Sequence, residues 1–133
     1  MKFRIYYEDT DAAGIVYHAN YIKFCERARS EAFFNSDLEP FSKDGYFVVS
    51  EIHAKFKKPA TLGDMIEVRS KVVQVKKVSI VINQQIYKVG NLKSECEPEL
   101  LFEADVTVAF MNEKGMAKMS EQMLEFISSR LLE

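Results

Sequence analysis

Alternation of apolar and polar positions with a period of two runs through the middle of the chain. Over residues 46–57 one face reads Tyr46, Val48, Ser50, Ile52, Ala54, Phe56, and the other ends in Glu51, His53, Lys55 and Lys57. That pattern predicts a strand. Residues 65–75 resume it, with Ile66, Val68 and Val72 on one side. Lys76 and Lys77 mark a tight connection into a further strand over 78–89. A last long strand follows over 100–112, where Ala104, Val106, Val108 and Phe110 alternate against Glu103, Asp105 and Thr107. Residues 2–8, rich in β-branched and aromatic side chains, predict a short first strand. Turn chemistry fills 9–14 and 113–115, a loop covers 59–64, and the polar stretch 90–99 reads as a long exposed loop.

Two stretches carry the helical period instead. Over residues 20–34 the apolar positions Tyr21, Phe24, Cys25, Ala28 and Ala32 recur at spacings of three and four. Arg27 and Glu31, four apart on the polar side, are placed to pair for a few tenths of a kcal/mol. Residues 35–45, with Pro40, Ser42, Asp44 and Gly45, break the pattern. The second helix is expected over 120–132, with Ser120 as N-cap and Met123, Leu124, Ile127 and Leu131 as its apolar stripe. A strand, a helix and four long antiparallel strands make an α+β domain. The first helix is more apolar than a surface helix, which a sheet curled around it explains. The expected architecture is therefore a curled antiparallel sheet wrapped around a long central helix, without internal repeats.

A chain of 133 residues holds one domain with a proper core, and residues 1–133 are read as that single domain. Its hydrophobic share of 47% and charged share of 29% are ordinary for a soluble globular protein. A net charge of -2 leaves no electrostatic footprint for nucleic acid, so no nucleic-acid partner is expected. The N-terminus has no apolar core of a signal peptide, and no apolar run approaches the roughly 18 residues of a membrane span. Cys25 and Cys96 belong to no CxxC pair and read as free thiols of an intracellular protein, with the cytoplasm as the expected compartment.

Candidate chemistry concentrates at Glu8, Asp9 and Asp11, three carboxylates within four residues, ahead of Gly14 and of His18 at the mouth of the apolar helix. No basic residue lies between Glu8 and Asp11 to neutralise them. On residue type alone, Asp11 is either a group held for chemistry or the cap of a turn. Asp9 suits a turn-forming role. A calcium loop is ruled out because Asn20 stands where the closing bidentate Glu would be needed. His53 falls on the polar face of its strand and reads as exposed. Glu26 and Glu31 are rival carboxylates, but Arg27 and Arg29 surround them and favour ion pairing.

Tyr7, Asp9, Asp11, Gly14, Val16, Tyr17, His18 and Tyr21, followed by Glu26-Arg27-Ala28-Arg29-Ser30-Glu31, resemble the YbgC-type acyl-CoA thioesterases. These belong to the 4-hydroxybenzoyl-CoA thioesterase family of the hotdog fold. The resemblance covers residues 3 to about 110 by order and length of elements, and the 59–64 loop with Thr61 fits it as well. It implies hydrolysis of an acyl-CoA thioester to the free acid and coenzyme A, with no metal and no redox cofactor. It makes Asp11 the catalytic carboxylate, as nucleophile or general base, and places His18 and Tyr7 beside it. A backbone N–H at the start of the helix, at His18, is a natural oxyanion donor.

The same resemblance puts Phe47 and Val49 at the acyl group, with Thr61 also at the substrate. Lys76 and Lys77 fall where the family places basic coenzyme A contacts; Lys55, Lys57 and Lys58 are further candidates for its phosphates. The plain alternative for all five is a lysine-decorated sheet edge or turn. The family pairs two chains into a continuous sheet, as a homodimer or homotetramer, with active sites at subunit interfaces. Two other readings remain. A dehydratase acting on carrier-protein thioesters needs a histidine motif on the helix that this sequence lacks. A non-catalytic protein would bind acyl-CoA or acyl carrier protein at the same place.

Overall fold

Strand formation follows the alternation closely. The computed structural model, which describes residues 1–39 and 42–129, contains β1 (Lys2–Arg4), a 3-10 turn (Tyr7–Asp9), α1 (His18–Phe34), β2 (Tyr46–Phe56), β3 (Met65–Val75), β4 (Ser79–Gly90), β5 (Glu95–Asn112), β6 (Gly115–Met116) and α2 (Glu121–Ser129). Pro40, Leu131 and the end of the expected helix over 130–132 lie outside the described residues. The sheet order is β1-β3-β4-β5-β2, with β6 paired to β5. Long strands and helices in one chain give the expected α+β class. The resulting edges are the short β1 and the eleven-residue β2.

Packing gathers the chain into two units. The first comprises Met1–Ala28, Ala54–Arg69 and Gln84–Ala104. Its core is built on the first half of α1, where Tyr21, Phe24, Cys25 and Ala28 are buried as their spacing predicts. The Tyr21 ring stacks on Phe102 with centroids 5.4 Å apart and meets Phe56 edge-on at 6.0 Å. Its hydroxyl accepts the Ala60 N–H at 2.9 Å. Phe24 packs on Phe3 at 5.0 Å. Gln84, fully buried, donates to the Cys25 carbonyl at 3.0 Å. Among the described residues no buried side-chain polar atom lacks a partner, as an interior of low dielectric demands.

The second unit takes Arg29–His53, Ser70–Asn83 and the chain from Asp105 onward. Ile80, Ile82, Val106, Val108, Phe110 and Ile127 are its buried apolar centre. Phe47 lies against both Phe33 and Phe110, at 5.5 and 5.1 Å. Ser120 caps α2 as predicted, its Oγ accepting the Met123 N–H at 3.1 Å.

Four local expectations are corrected. The first strand ends at Arg4, because Asp9 Oδ2 takes the Tyr6 N–H and curls residues 7–9 into the 3-10 turn. The helix begins at His18, two residues before the expected start at residue 20. The stretch 90–99 is not a long loop: Asn91 Oδ1 accepts the N–H groups of Lys93 and Ser94, closing a tight hairpin into the eighteen-residue β5. Residues 95–99 are exposed on both faces, so they carry no alternation to read. Glu31 is paired not as foreseen with Arg27 but with the Asn35 side chain, at 3.4 Å. Cys25 and Cys96 are free thiols, the first buried and the second exposed, as expected.

Replacing Tyr21 by Phe leaves the Ala60 N–H buried without an acceptor and is expected to cost about 1–3 kcal/mol in urea denaturation. Burial raises the Tyr21 pKa above its ordinary value, with the nearby Asp64 charge adding and the Ala60 hydrogen bond opposing. A raised folded value means this contribution is intact below pH about 10 and is lost as pH climbs through the folded pKa. Denaturation midpoints measured across that window are expected to fall for the wild type, with this component absent in Tyr21→Phe. Gly63 sits at φ +87°, where a Cβ would approach Leu92 Cγ to 2.5 Å. Leu92 is exposed and able to swing away, so Gly63→Ala is expected to cost about 1–2 kcal/mol from left-handed backbone alone, read as a lowered Tm.

Candidate active site

The acidic cluster is divided by its backbone. Asp9 Oδ2 accepts the Tyr6 N–H at 2.8 Å, and its own N–H returns to the Tyr6 carbonyl at 3.0 Å. Thr10 closes the same turn, its N–H and Oγ both donating to the Tyr7 carbonyl, at 3.2 and 3.0 Å. Asp9 is thus a turn residue, and its carbonyl oxygen also accepts the Tyr17 N–H at 3.0 Å and Asn20 Nδ2 at 2.8 Å. From there the chain doubles back. Thr10 pairs with Val16 as an antiparallel bridge, and the Asp11 N–H donates to the Ile15 carbonyl at 2.9 Å.

Asp11 therefore begins a tight reverse turn. Its carbonyl accepts the Gly14 N–H at 3.0 Å, and Gly14 adopts φ +83°, a conformation glycine takes without Cβ cost. The Asp11 carboxylate accepts the Ala13 N–H through Oδ1 at 2.9 Å. Oδ2 has no hydrogen bond among the described residues, and the side chain is exposed. One oxygen is fixed while the other stays available. Residues 15–17 then lead directly into α1, whose first residue is His18. The opening N–H groups of any helix lack intrahelical acceptors and carry the positive end of its dipole. Such donors suit negative charge that develops on a nearby oxygen.

The 59–64 loop buttresses this turn. Thr61 pairs with Ile15 as a bridge, and the Ala60 carbonyl accepts the Val16 N–H at 2.9 Å. Asp64, 4% exposed, accepts the Thr61 N–H at 2.8 Å through Oδ2. Thr61 Oγ reaches the same oxygen at 3.3 Å, and Lys88 Nζ lies 3.5 Å from Asp64 Oδ1. Sequence reasoning missed Asp64. The signal was there in an acid ending a loop directly before a buried strand, a place where a charge needs partners.

Tyr7, Asp11, His18 and Thr61 all fall in the first unit. Tyr7 is 82% exposed and His18 is also exposed. The His18 ring lies 4.5 Å from that of Tyr17 and 6.2 Å from that of Phe56. No hydrogen bond joins the side chains of Tyr7, Asp11 and His18 among the described residues. Glu8 lines a small cleft with Asp9, Asn20, Lys23, Phe24 and Arg27. Phe47, Val49, Lys76 and Lys77 belong to the second unit. There Phe47 is half-buried in its aromatic cluster and Val49 is 46% exposed. The exposed Lys76 and Lys77 form the connection from β3 to β4, where the Lys76 N–H donates to the Ser79 carbonyl at 2.8 Å. His53 is exposed, as expected, and contacts Glu51. Among the described residues no group of three or more His, Cys, Asp or Glu side chains could hold a metal ion. Among them, too, no helix is long and apolar enough to cross a membrane.

Known proteins agree on the family. The thioesterase superfamily matches residues 13–95. The acyl-CoA thioesterase YbgC of Helicobacter pylori is 44% identical over 113 residues, covering 84% of this chain and 85% of the relative. The acyl-CoA thioester hydrolase YbgC of Escherichia coli is 38% identical over 108 residues, covering 79% and 75%. Among solved structures, a mutant 4-hydroxybenzoyl-CoA thioesterase complexed with 4-hydroxybenzoyl-CoA superposes with a TM-score of 0.83 at 20% identity, over 96% of both chains. With that shared fold and those identities, the chain has the hotdog fold and belongs to the thioesterase superfamily, in its YbgC-type branch.

Proposed function

We propose that the chain is a single catalytic domain that hydrolyses acyl-CoA to a free carboxylic acid and coenzyme A. The observation that carries this reading is the Asp11 carboxylate, held through one oxygen by the Ala13 N–H on a turn that runs straight into the first turn of α1. The relatives' names support the substrate class. Coenzyme A is the thiol carrier in this reading, and an acyl carrier protein is the alternative carrier for the same thioester.

Asp11 works in one of two ways. As general base it takes a proton from water while the water oxygen attacks the thioester carbonyl carbon. As nucleophile its own oxygen attacks, giving a mixed anhydride that water then opens. On either route the carbonyl oxygen becomes an oxyanion, which the N–H of His18 receives. The C–S bond breaks as that oxyanion collapses, its electron pair leaving on sulfur. The thiolate takes its proton from water, in the same step on the first route and on opening of the anhydride on the second. General-base assistance is worth roughly 100- to 10,000-fold and an oxyanion donor about 100- to 1,000-fold. Water and a carboxylate suffice for this balance. Tyr7 and His18 flank the reacting group and Thr61 meets the substrate, while Phe47 and Val49 are the acyl-group candidates and Lys76 and Lys77 the coenzyme A phosphate contacts, supplied from the partner chain.

Exposure of Asp11, Tyr7 and His18 on one chain supports a site completed at a subunit interface, since a reacting thioester needs exclusion from bulk water. β2 supplies the long edge for that pairing, with Tyr46, Val49 and Phe56 exposed along it. A homodimer or homotetramer follows.

Thiol release is to be followed with short, long and aromatic acyl-CoAs. The wild type is expected to cleave at least one class, and Asp11→Asn to be slower by about 100-fold or more. An Asn variant as fast as the wild type would sink the Asp11 mechanism. A wild type that binds but cleaves none of them would leave the non-catalytic binding protein standing. Sedimentation velocity is expected to give a dimer or tetramer, and a lone monomer that is fully active would refute the shared site.

A further inference from the structure

Buried carboxylates are costly unless each oxygen has a partner. Asp64 meets that demand with groups that lead, bond by bond, to Asp11. Its Oδ2 holds the Thr61 N–H at 2.8 Å and the Thr61 hydroxyl at 3.3 Å, while Oδ1 faces Lys88 Nζ at 3.5 Å. Thr61 so fixed pairs with Ile15, and the adjoining Ala60 carbonyl takes the Val16 N–H at 2.9 Å. The Ile15 carbonyl in turn takes the Asp11 N–H at 2.9 Å. The loop is anchored on its far side as well, through Ile5 N–H to the Asp64 carbonyl at 2.9 Å and Arg4 to the Gly63 carbonyl at 2.8 Å.

We propose that Asp64 is a positioning residue for the reaction: by accepting from Thr61 it sets the loop that holds Ile15 and Val16, and so fixes where the Asp11 carboxylate stands. This rests on the reading of Asp11 as the reacting group. The Asp64 carboxylate is buried, with Thr61 and Lys88 as its partners, and makes no hydrogen bond to Asp11. Its effect comes through placement, where a displacement of about 1 Å can cost on the order of 100-fold in rate.

Two readouts test this, and one does not need activity. In Asp64→Ala the N–H groups of Val16 and Asp11 are expected to exchange with solvent about tenfold faster or more, while that of Phe110, bonded to Val78 in the second unit, keeps its rate. In the same variant kcat is expected to fall about tenfold or more with KM within about twofold. Asp64→Asn keeps an oxygen for the Thr61 N–H and is expected to stay within about threefold of the wild type in both. Unchanged exchange at Val16, unchanged kcat, or a rise in KM alone overturns the proposal. So does an Asn variant as impaired as Ala. If Asp64→Ala does not fold, Asn is compared with Asp64→Glu, which keeps the charge but shifts the acceptor by one methylene. Near-wild-type values in Asn with about a tenfold loss in Glu support positioning, and any other order overturns it. A wild type that cleaves no acyl-CoA defeats the proposed reaction, while amide exchange still judges the placement.

Discussion

The hydrogen bond from the Ala60 N–H to the Tyr21 hydroxyl ties the helix to the loop that supports the site. Tyr21 is buried, stacked on Phe102, so its phenol has no water to turn to. Ala60 is fully buried too, and its N–H would otherwise be an orphan donor in an apolar interior. Each group needs the other. The carbonyl of that same Ala60 accepts from Val16, the residue that follows the Asp11 turn. One residue, through the peptide groups on either side of its Cα, thereby links the helix to the turn ahead of it.

Three neighbouring acids would repel one another if left to solvent, and here the backbone sorts them. Asp9 is consumed by the Tyr6 N–H, Glu8 turns to a cleft with Lys23 and Arg27, and Asp11 spends one oxygen on Ala13. Asp64 is a fourth carboxylate, spent on holding the loop. What separates them is which donors each meets.

The strand with Ile66 and Val68 and the buried stripe of α1 were legible because burial on one face imposes a period on the sequence. Ser120 was legible as a cap because its hydroxyl competes for backbone donors in only that way. The 95–99 segment was not legible, since backbone pairing holds it and neither face is buried. The 3-10 turn was missed for a related reason: the Asp9 side chain decides it, against the β propensity of Ile5, Tyr6 and Tyr7. For the site, the acid cluster and the helix mouth stood out by residue type, and the resemblance chose Asp11 among them. For Asp64 the sequence offered only its place at the end of a loop; its partners were not legible, since, Thr61 aside, they are distant in sequence and only folding brings Lys88 beside it.

The Asp11 turn is held by main-chain atoms: the Ala13 N–H on its carboxylate, the Ile15 carbonyl on its N–H and the Gly14 N–H on its carbonyl. The side chains of Ala12 and Ala13 point to no partner and are exposed. Positions 12 and 13 can therefore vary in size and charge, proline at 13 excepted, without removing any of these bonds. Descendants of this chain could retune what approaches the turn while inheriting its backbone bonds unchanged.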